Sequence, residues 1–302
     1  MKPIIKYRGG KLKEIKSFEK YIPKKFDTYI EPFFGGGAVF FHLEPKKAIV
    51  NDINQKLIKF YTEVKSNYET VREQLDSLEK IYVSNQKEYE EKKAIAGEQV
   101  RVENKNEEFY YKIRDLFNYP NEQEYLEAVT YFFINKTAYS GMVRYNKKGE
   151  YNVPFGRYAN FNTQLLTKEH HDLLKNTDLY NGDFSEVFKL AKPNDFMFLD
   201  PPYDTIFNDY GNLEFENGFD EAHHRRLAEA YKKLPCKALM IIGATDLTRE
   251  LYKDFIFTEY GKDYAVNIRN RFKSSASHLV VLNYEPDIAR KDTYQEVATT
   301  EI

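Results

Sequence analysis

Short apolar runs bounded by turn residues open the chain. TYIEPF (28–33) reads as a strand, GGGAVFFHL (35–43) as a glycine turn entering a helix, and KAIVND (47–52) as a second strand. A strand–turn–helix–strand unit of this length predicts a parallel α/β sheet. From about Gln55 to Tyr131 the chain is long, charged and helical in pattern, with apolar residues at three- and four-residue steps such as Leu75, Leu78 and Tyr82. Within that stretch, residues 84–108 are polar enough to predict a projecting hairpin or a mobile loop. Residues 135–163 are rich in Asn, Gly, Tyr and Arg, which suits turns and a β-hairpin with KKGE (147–150) at its tip. Strand patterns resume at DLYNGDF (178–184), DFMFLDPPY (195–203), ALMIIGA (238–244) and HLVVLNY (278–284). FTEY and YAVNIR, between the last two, read as antiparallel additions. No internal repeat is present, and the tail after Pro286 is predicted to fray. The α/β material therefore comes from both ends of the chain, with helices and a hairpin inserted between them.

Composition narrows the class. The chain has 302 residues, 42% hydrophobic and 30% charged, enough for one large domain or two modest ones around a buried core. Its 25 Tyr and 23 Phe exclude wholesale disorder. A single cysteine, Cys236, excludes a disulfide scaffold and a Cys-rich zinc site, and reads as a buried thiol. His223 and His224 are read as surface histidines, because adjacent residues on a helix point different ways, so no metal is expected. MKPIIKYRGGK at the start has charges but no apolar signal-peptide core, and no apolar run nears the roughly 18 residues of a membrane span. The expectation is a soluble, cytoplasmic protein with no membrane partner. The formal net charge of −2 hides an uneven distribution: +7 over residues 1–25, +4 over 131–158 and −6 over 63–127. Local sign matters most when the partner is a polyanion, although chance clustering on a solvated surface gives the same pattern.

Two motifs carry candidate chemistry. Gly35, Gly36 and Gly37 follow a strand and precede a helix, where side-chain-free backbone lets a ligand approach closely. Asp52 ends the next strand, where a carboxylate can accept hydrogen bonds from ribose hydroxyls. A nicotinamide dinucleotide site is disfavoured because Phe40 stands where the G-x-G-x-x-G pattern needs its last glycine, and RGGK (8–11) lacks Walker A spacing. The second motif is Asp200-Pro201-Pro202-Tyr203 after the apolar run FMFL. Two prolines cannot continue a central strand, so the chain turns at the carboxyl end of the sheet, where open α/β sheets bind ligands. A carboxylate and a proline carbonyl there can accept both N–H bonds of an exocyclic amine. They favour the tetrahedral nitrogen that attacks an electrophile, while Tyr203 stacks on the planar ring.

YRGGK (7–11), EPFFGGGAVFF (31–41), NDIN (51–54), RYNKKGEYNVPFGRY (144–158) and LDPPY (199–203) occur in the order seen in Dam-like DNA adenine methyltransferases of the alpha class. The chain resembles that family from about Ile4 to Tyr284. The resemblance implies a Rossmann-like S-adenosylmethionine-dependent methyltransferase sheet with an inserted helical and β-hairpin DNA-recognition subdomain. It implies a catalytic domain of residues 1–54 and 164–286, a target-recognition insertion of 55–163 and a tail of 287–302. Carried over, Tyr7 matches the family's N-terminal aromatic, more usually Trp, and Lys11 its cofactor-contacting lysine. Glu31 to Gly37 match the cofactor loop, with Phe33 near the flipped base, and Asp52 the ribose carboxylate. Asp183 falls where a carboxylate lies near the cofactor adenine, and Asp200, Pro201, Pro202 and Tyr203 match the catalytic tetrad, Asp200 also touching the cofactor.

The implied substrate is double-stranded DNA, the reaction methylation of adenine N6, and the target GATC. Arg144 and Arg157 are placed to read guanine, Lys136, Lys147 and Lys148 to contact phosphates, and Tyr139 to wedge beside the flipped base. Asn146, Pro154 and Tyr158 complete the implied DNA contacts. A cognate restriction endonuclease is an implied partner. Cys236 lies after the tetrad, which argues against carbon-5 cytosine methylation. The N4-cytosine and RNA-adenine versions of the same site stay open, as does a DNA-binding regulator that keeps the fold without turnover.

Overall fold

The computed structural model describes residues 1–96, 100–120, 124–141, 143–204, 219–262 and 276–287. Among them, seven strands form one sheet: β1 Tyr29–Glu31, β2 Ala48–Asp52, β3 Thr177–Asn181, β4 Phe196–Leu199, β5 Lys237–Gly243, β6 Ile256–Lys262 and β7 Ala276–Leu282. Their spatial order is β3–β2–β1–β4–β5–β7–β6. The first five are parallel, and β7 runs antiparallel between β5 and β6. This is the mixed α/β, Rossmann-like sheet expected from the sequence. FTEY falls on β6 as an antiparallel addition, while YAVNIR and the tail beyond residue 287 lie outside the described residues.

Alternation along the central strands builds a core on both faces. Tyr29, Phe196, Phe198, Leu239 and Ile241 pack on one side of the sheet; Ile30, Met197, Leu199, Met240 and Ile242 pack on the other. Strands covered on both faces need continuous apolar runs, which is why FMFL and ALMII read so clearly. The chain leaves β1 for β2 and β3 on one side, then returns to place β4 on β1's other flank, with Tyr29 opposite Phe196. This reversal opens a crevice beyond the carboxyl ends of β1 and β4.

The helices are α1 Ile15–Phe18, α2 Ala38–Leu43, α3 Gln55–Ser66, α4 Tyr68–Ala96, α5 Lys105–Asn118, α6 Glu127–Thr137, α7 Lys168–Lys175, α8 Phe184–Phe188, α9 Glu221–Tyr231 and α10 Asp246–Tyr252. Helix α3 packs on β2, β3 and α7, and α4, α5 and α6 pack on one another. Residues 84–96 and 105–108, expected as part of a projecting hairpin or a mobile loop, are helix: they continue α4 and open α5. The buried stripe Val71, Leu75, Leu78, Tyr82 ends there, but Glu, Lys, Gln and Ala are strong helix formers. Pairs four residues apart, such as Gln86–Glu90 (2.8 Å) and Glu88–Lys92 (2.6 Å), bridge successive turns of this exposed helix.

The predicted hairpin is present in a short form. Tyr145 bridges Tyr151, Ala138 bridges Phe155, and the turn closes on Gly149 at φ 77°. His224 corrects the surface reading. It is buried on the inner face of α9, edge-on to Phe219 at 4.8 Å, and burial pushes its imidazole below the usual range. Cys236 is buried as expected, which pushes its thiol up to about 11.

Candidate active site

The crevice at the β1/β4 switch point is a cleft of about 940 Å³, counting its open mouth. Its walls include Tyr7, Lys11, Glu31, Phe33, Gly35, Gly36, Gly37, Asp52, Asp183 and the whole tetrad Asp200, Pro201, Pro202, Tyr203. Five separated segments thus converge, because each ends a strand or precedes a helix at one edge of the sheet.

The glycine turn is shaped by protein rings. Gly35 and Gly37 have φ of 49° and 64°, which glycine adopts without strain. A methyl group on Gly35 would stand 2.9 Å from Tyr7 Cδ1, and one on Gly37 2.8 Å from Phe34 Cζ. The room that the sequence reading left for a ligand is therefore partly taken by Tyr7 and Phe34, which press on the turn. Asp52 holds the same turn: Oδ2 accepts from the Gly35 N–H (2.8 Å) and Oδ1 from the Asn54 N–H (2.9 Å). Each carboxylate oxygen keeps lone-pair capacity for a further donor.

Glu31 ends β1 buried, accepting from the Tyr29 hydroxyl at 2.8 Å, and burial pushes its carboxyl well above the usual range. Asp200 lies just beyond β4. Lys11, only 2% exposed, donates to Asp200 Oδ2 (2.7 Å) and to the Gly9 carbonyl (3.0 Å), with Nζ 5.0 Å from the Tyr203 ring centre. Burial raises the Asp200 carboxyl above its ordinary value, and the Lys11 charge opposes that rise. Asp183 caps α8 through the Ser185 N–H and takes a bidentate grip from Arg226 at 2.9 and 2.7 Å. Phe33 packs on Phe184 (5.4 Å) and edge-on to Phe219 (6.0 Å).

Asn51, which nothing in NDIN marks as functional, braces the cleft. Its Nδ2 donates to the carbonyls of Pro32 and Gly182, both at 3.0 Å, tying β1's exit to the turn before α8. Its Oδ1 is buried with no hydrogen-bond partner among the described residues. Four carboxyl groups (Glu31, Asp52, Asp183, Asp200) line the cleft with Lys11 and Arg8, and together with the unpartnered Asn51 Oδ1 they suit a ligand rich in N–H and O–H donors.

The predicted DNA-contacting residues lie apart from the cleft walls, along the hairpin. Lys147, Lys148 and Pro154 are exposed, and Tyr139 is 55% exposed, its N–H held by the Pro154 carbonyl at 2.9 Å. Ser140 and Gly141 follow at φ 57° and 60°, so the Tyr139 turn is fixed rather than extended. Arg144 donates to Asn152 Oδ1 (2.7 Å) and to its carbonyl (3.0 Å), and exposed Arg157 reaches Glu107 at 3.4 Å. Asn146 shapes the tip, accepting from the Lys148 and Glu150 N–H groups at 2.9 and 3.0 Å. Tyr158 is half-buried, its hydroxyl accepting from the Ser140 N–H. Lys136 corrects its phosphate assignment. It is half-buried at the end of α6, donates to the Ile4 carbonyl at 2.6 Å, and burial pushes its ammonium down to about 8.

Among the described residues, no helix is long and apolar enough to cross a membrane, and no group of three or more His, Cys, Asp or Glu is placed to hold a metal ion. The sequence model of the D12 class N6 adenine-specific DNA methyltransferases matches residues 7–268. The chain is 36% identical over 292 residues to the Type II methyltransferase M.CviBI of Paramecium bursaria Chlorella virus NC1A, covering 94% of this chain and all of that protein. It is 35% identical over 308 residues to the Type II methyltransferase M.MjaIII of Methanocaldococcus jannaschii, covering 94% and 99%. To the DNA adenine methylase of Salmonella typhi it is 26% identical over 296 residues, covering 94% and 96%.

Proposed function

The chain belongs to the D12 class of N6 adenine-specific DNA methyltransferases, and on that footing we propose that the cleft at the β1/β4 switch point is where donor and target base meet. Its reaction is methylation of adenine N6 in DNA. S-adenosylmethionine is the methyl donor in this reading, and when bound it supplies a methyl group already activated by a sulfonium. The observation that carries the reading is the convergence of Glu31, Asp52 and Asp200 with Lys11 in one cleft. Those acceptor oxygens suit a ligand bearing hydroxyl, amino and ammonium donors. Tyr7, Lys11, Glu31, Phe33, the glycine turn, Asp52, Asp183 and Asp200 are the residues that would hold it.

The target adenine leaves the helix stack at a cost of a few kcal/mol. Tyr203 stacking returns about 1–3 kcal/mol of that. The Asp200 carboxylate and a proline carbonyl of the tetrad accept the two N6–H bonds. This keeps the nitrogen lone pair directed at the methyl group and out of conjugation with the ring. No covalent protein nucleophile is required, so alignment and exclusion of water supply the acceleration. In the free protein the Lys11 ammonium occupies Asp200 Oδ2, and it must share that oxygen when the amine arrives.

The insertion of residues 55–163 presents the hairpin to DNA. Tyr139 wedges beside the flipped base, Arg144 and Arg157 read guanines of GATC, and Lys147 and Lys148 hold phosphates. Asn146, Pro154 and Tyr158 shape and line that surface. The Type II names of two relatives favour a cognate restriction endonuclease acting on the same sequence.

The test is transfer from labelled S-adenosylmethionine to unmethylated duplex DNA, with nucleoside analysis and sequencing of modified positions. N6-methyladenine confined to GATC is expected; another motif would overturn the target, and N4-methylcytosine or a product on RNA alone would overturn the site chemistry. In the same assay Arg144→Ala should relax the preference at one guanine by about 5–150-fold, the equivalent of about 1–3 kcal/mol. Lys147→Ala should weaken all DNA alike and flatten the salt dependence by about one unit of slope. Identical behaviour of the two variants would contradict this division of roles.

A further inference from the structure

Lys11 and Glu14 stand three residues apart just before α1; Lys11 meets the first residue of the D-P-P-Y turn, and Glu14 meets a histidine that packs on its last. Lys11 binds Asp200 at 2.7 Å. Glu14 Oε2 accepts from His278 Nδ1 at 2.7 Å and from the Tyr260 hydroxyl at 3.0 Å. His278, 1% exposed on β7, meets the Tyr203 ring edge-on, with centroids 5.0 Å apart and planes at 71°. The Tyr260 ring also stands edge-on to the imidazole, at 5.5 Å and 82°. Gly243, opposite His278 on β5, leaves the floor under Tyr203 flat: a methyl group there would touch the ring at 3.5 Å.

A carboxylate at Nδ1 fixes both the tautomer and the ring plane of an imidazole. A buried carboxylate–imidazole pair is a weak stabiliser, because desolvation offsets its attraction, so its main contribution is orientation. We infer that His278 is a positioning residue for Tyr203: Glu14 fixes the imidazole, and the imidazole edge fixes the plane of the phenol on which the target adenine stacks. This rests on the reading of Tyr203 as the stacking platform. The N-terminal segment thereby grips the tetrad at both ends, Lys11 at Asp200 and Glu14 through His278 at Tyr203.

The experiment uses the full chain and a duplex carrying the wild-type target site, with 2-aminopurine replacing the target adenine for fluorescence. Single-turnover methyl transfer on the natural duplex, the S-adenosylmethionine dissociation constant and the melting temperature are measured for His278→Gln, Glu14→Met, Glu14→Gln and Tyr203→Ala. His278→Gln and Glu14→Met should slow transfer at least tenfold and brighten the unstacked 2-aminopurine, with the cofactor constant within twofold of wild type. Glu14→Gln keeps an acceptor for Nδ1–H and should stay within threefold of the wild-type rate. Wild-type rates in His278→Gln, or an equal loss in Glu14→Gln and Glu14→Met, would overturn the inference. If His278→Gln does not fold, the contrast between the two Glu14 variants decides alone. A Tyr203→Ala variant that transfers normally would sink the stacking reading itself; one that fails while His278→Gln is normal sinks only the role of His278.

Discussion

Asp200→Asn should lower kcat by about a thousandfold while weakening cofactor binding far less. A preorganised acceptor aimed at the reacting group is worth about 10²–10³ in rate. The amide replaces one of two acceptor oxygens with an N–H pair that opposes the incoming amine. Asparagine is the cleaner change. Alanine would leave the Lys11 ammonium buried beside an empty site, and breaking such a pair costs about 3–5 kcal/mol of stability. The ionised carboxylate is the working form, so activity is lost as pH falls through its pKa. Because burial raises that pKa in the free chain, the acid limb of the kcat/KM profile should lie above the ordinary aspartate value of about 3.9. The same shift makes the folded chain hold its proton longer than the unfolded one, so this group's contribution to stability declines as pH rises across that window. Lys11→Met removes the opposing charge and should move the acid limb higher still; an unmoved limb would contradict the pairing.

Asp52→Asn should raise the cofactor dissociation constant by about 10–100-fold, with kcat at saturation changed much less. Both carboxylate oxygens accept backbone N–H groups, from Gly35 and from Asn54. An amide can accept at only one, and its NH₂ must face the other N–H. Hydrogen bonds to a charged acceptor contribute about 1.5–3 kcal/mol, and each 1.4 kcal/mol is a factor of ten in affinity. The loss acts twice, on the acceptor oxygens Asp52 offers a ligand and on the turn pressed beneath Tyr7. Titration with S-adenosylmethionine measures it, and an unchanged constant would refute the role of Asp52.

The central strands were legible because their burial on both faces demands unbroken apolar runs. The meeting of Glu31 and Asp200 was legible as well, since the glycine turn and the two prolines both mark carboxyl ends of strands. Residues 84–96 were misread because the apolar stripe stops at Tyr82 while helix propensity continues. His224 was misread as half of a polar pair, although His224, Leu227, Ala228 and Tyr231 recur at helical spacing and share the buried face of α9. Lys136 was assigned by charge alone, and only the fold brings it beneath the Ile4 carbonyl. The glycines suggested open space, but the rings that fill it come from Tyr7 and Phe34. Glu14 and His278 are 264 residues apart and carry no local signature, so their contact was beyond any reading of spacing.

The central claim is that one cleft aligns adenine N6 with the methyl donor at Asp200. Its most direct test is a structure of the chain with target duplex and a non-reactive analogue of S-adenosylmethionine. The target adenine is expected outside the stack, its ring on Tyr203 and N6 about 3 Å from both the Asp200 carboxylate and a proline carbonyl of the tetrad. An adenine still stacked in the duplex, or an N6 beyond hydrogen-bond reach of Asp200 while the analogue fills the cleft, would contradict it.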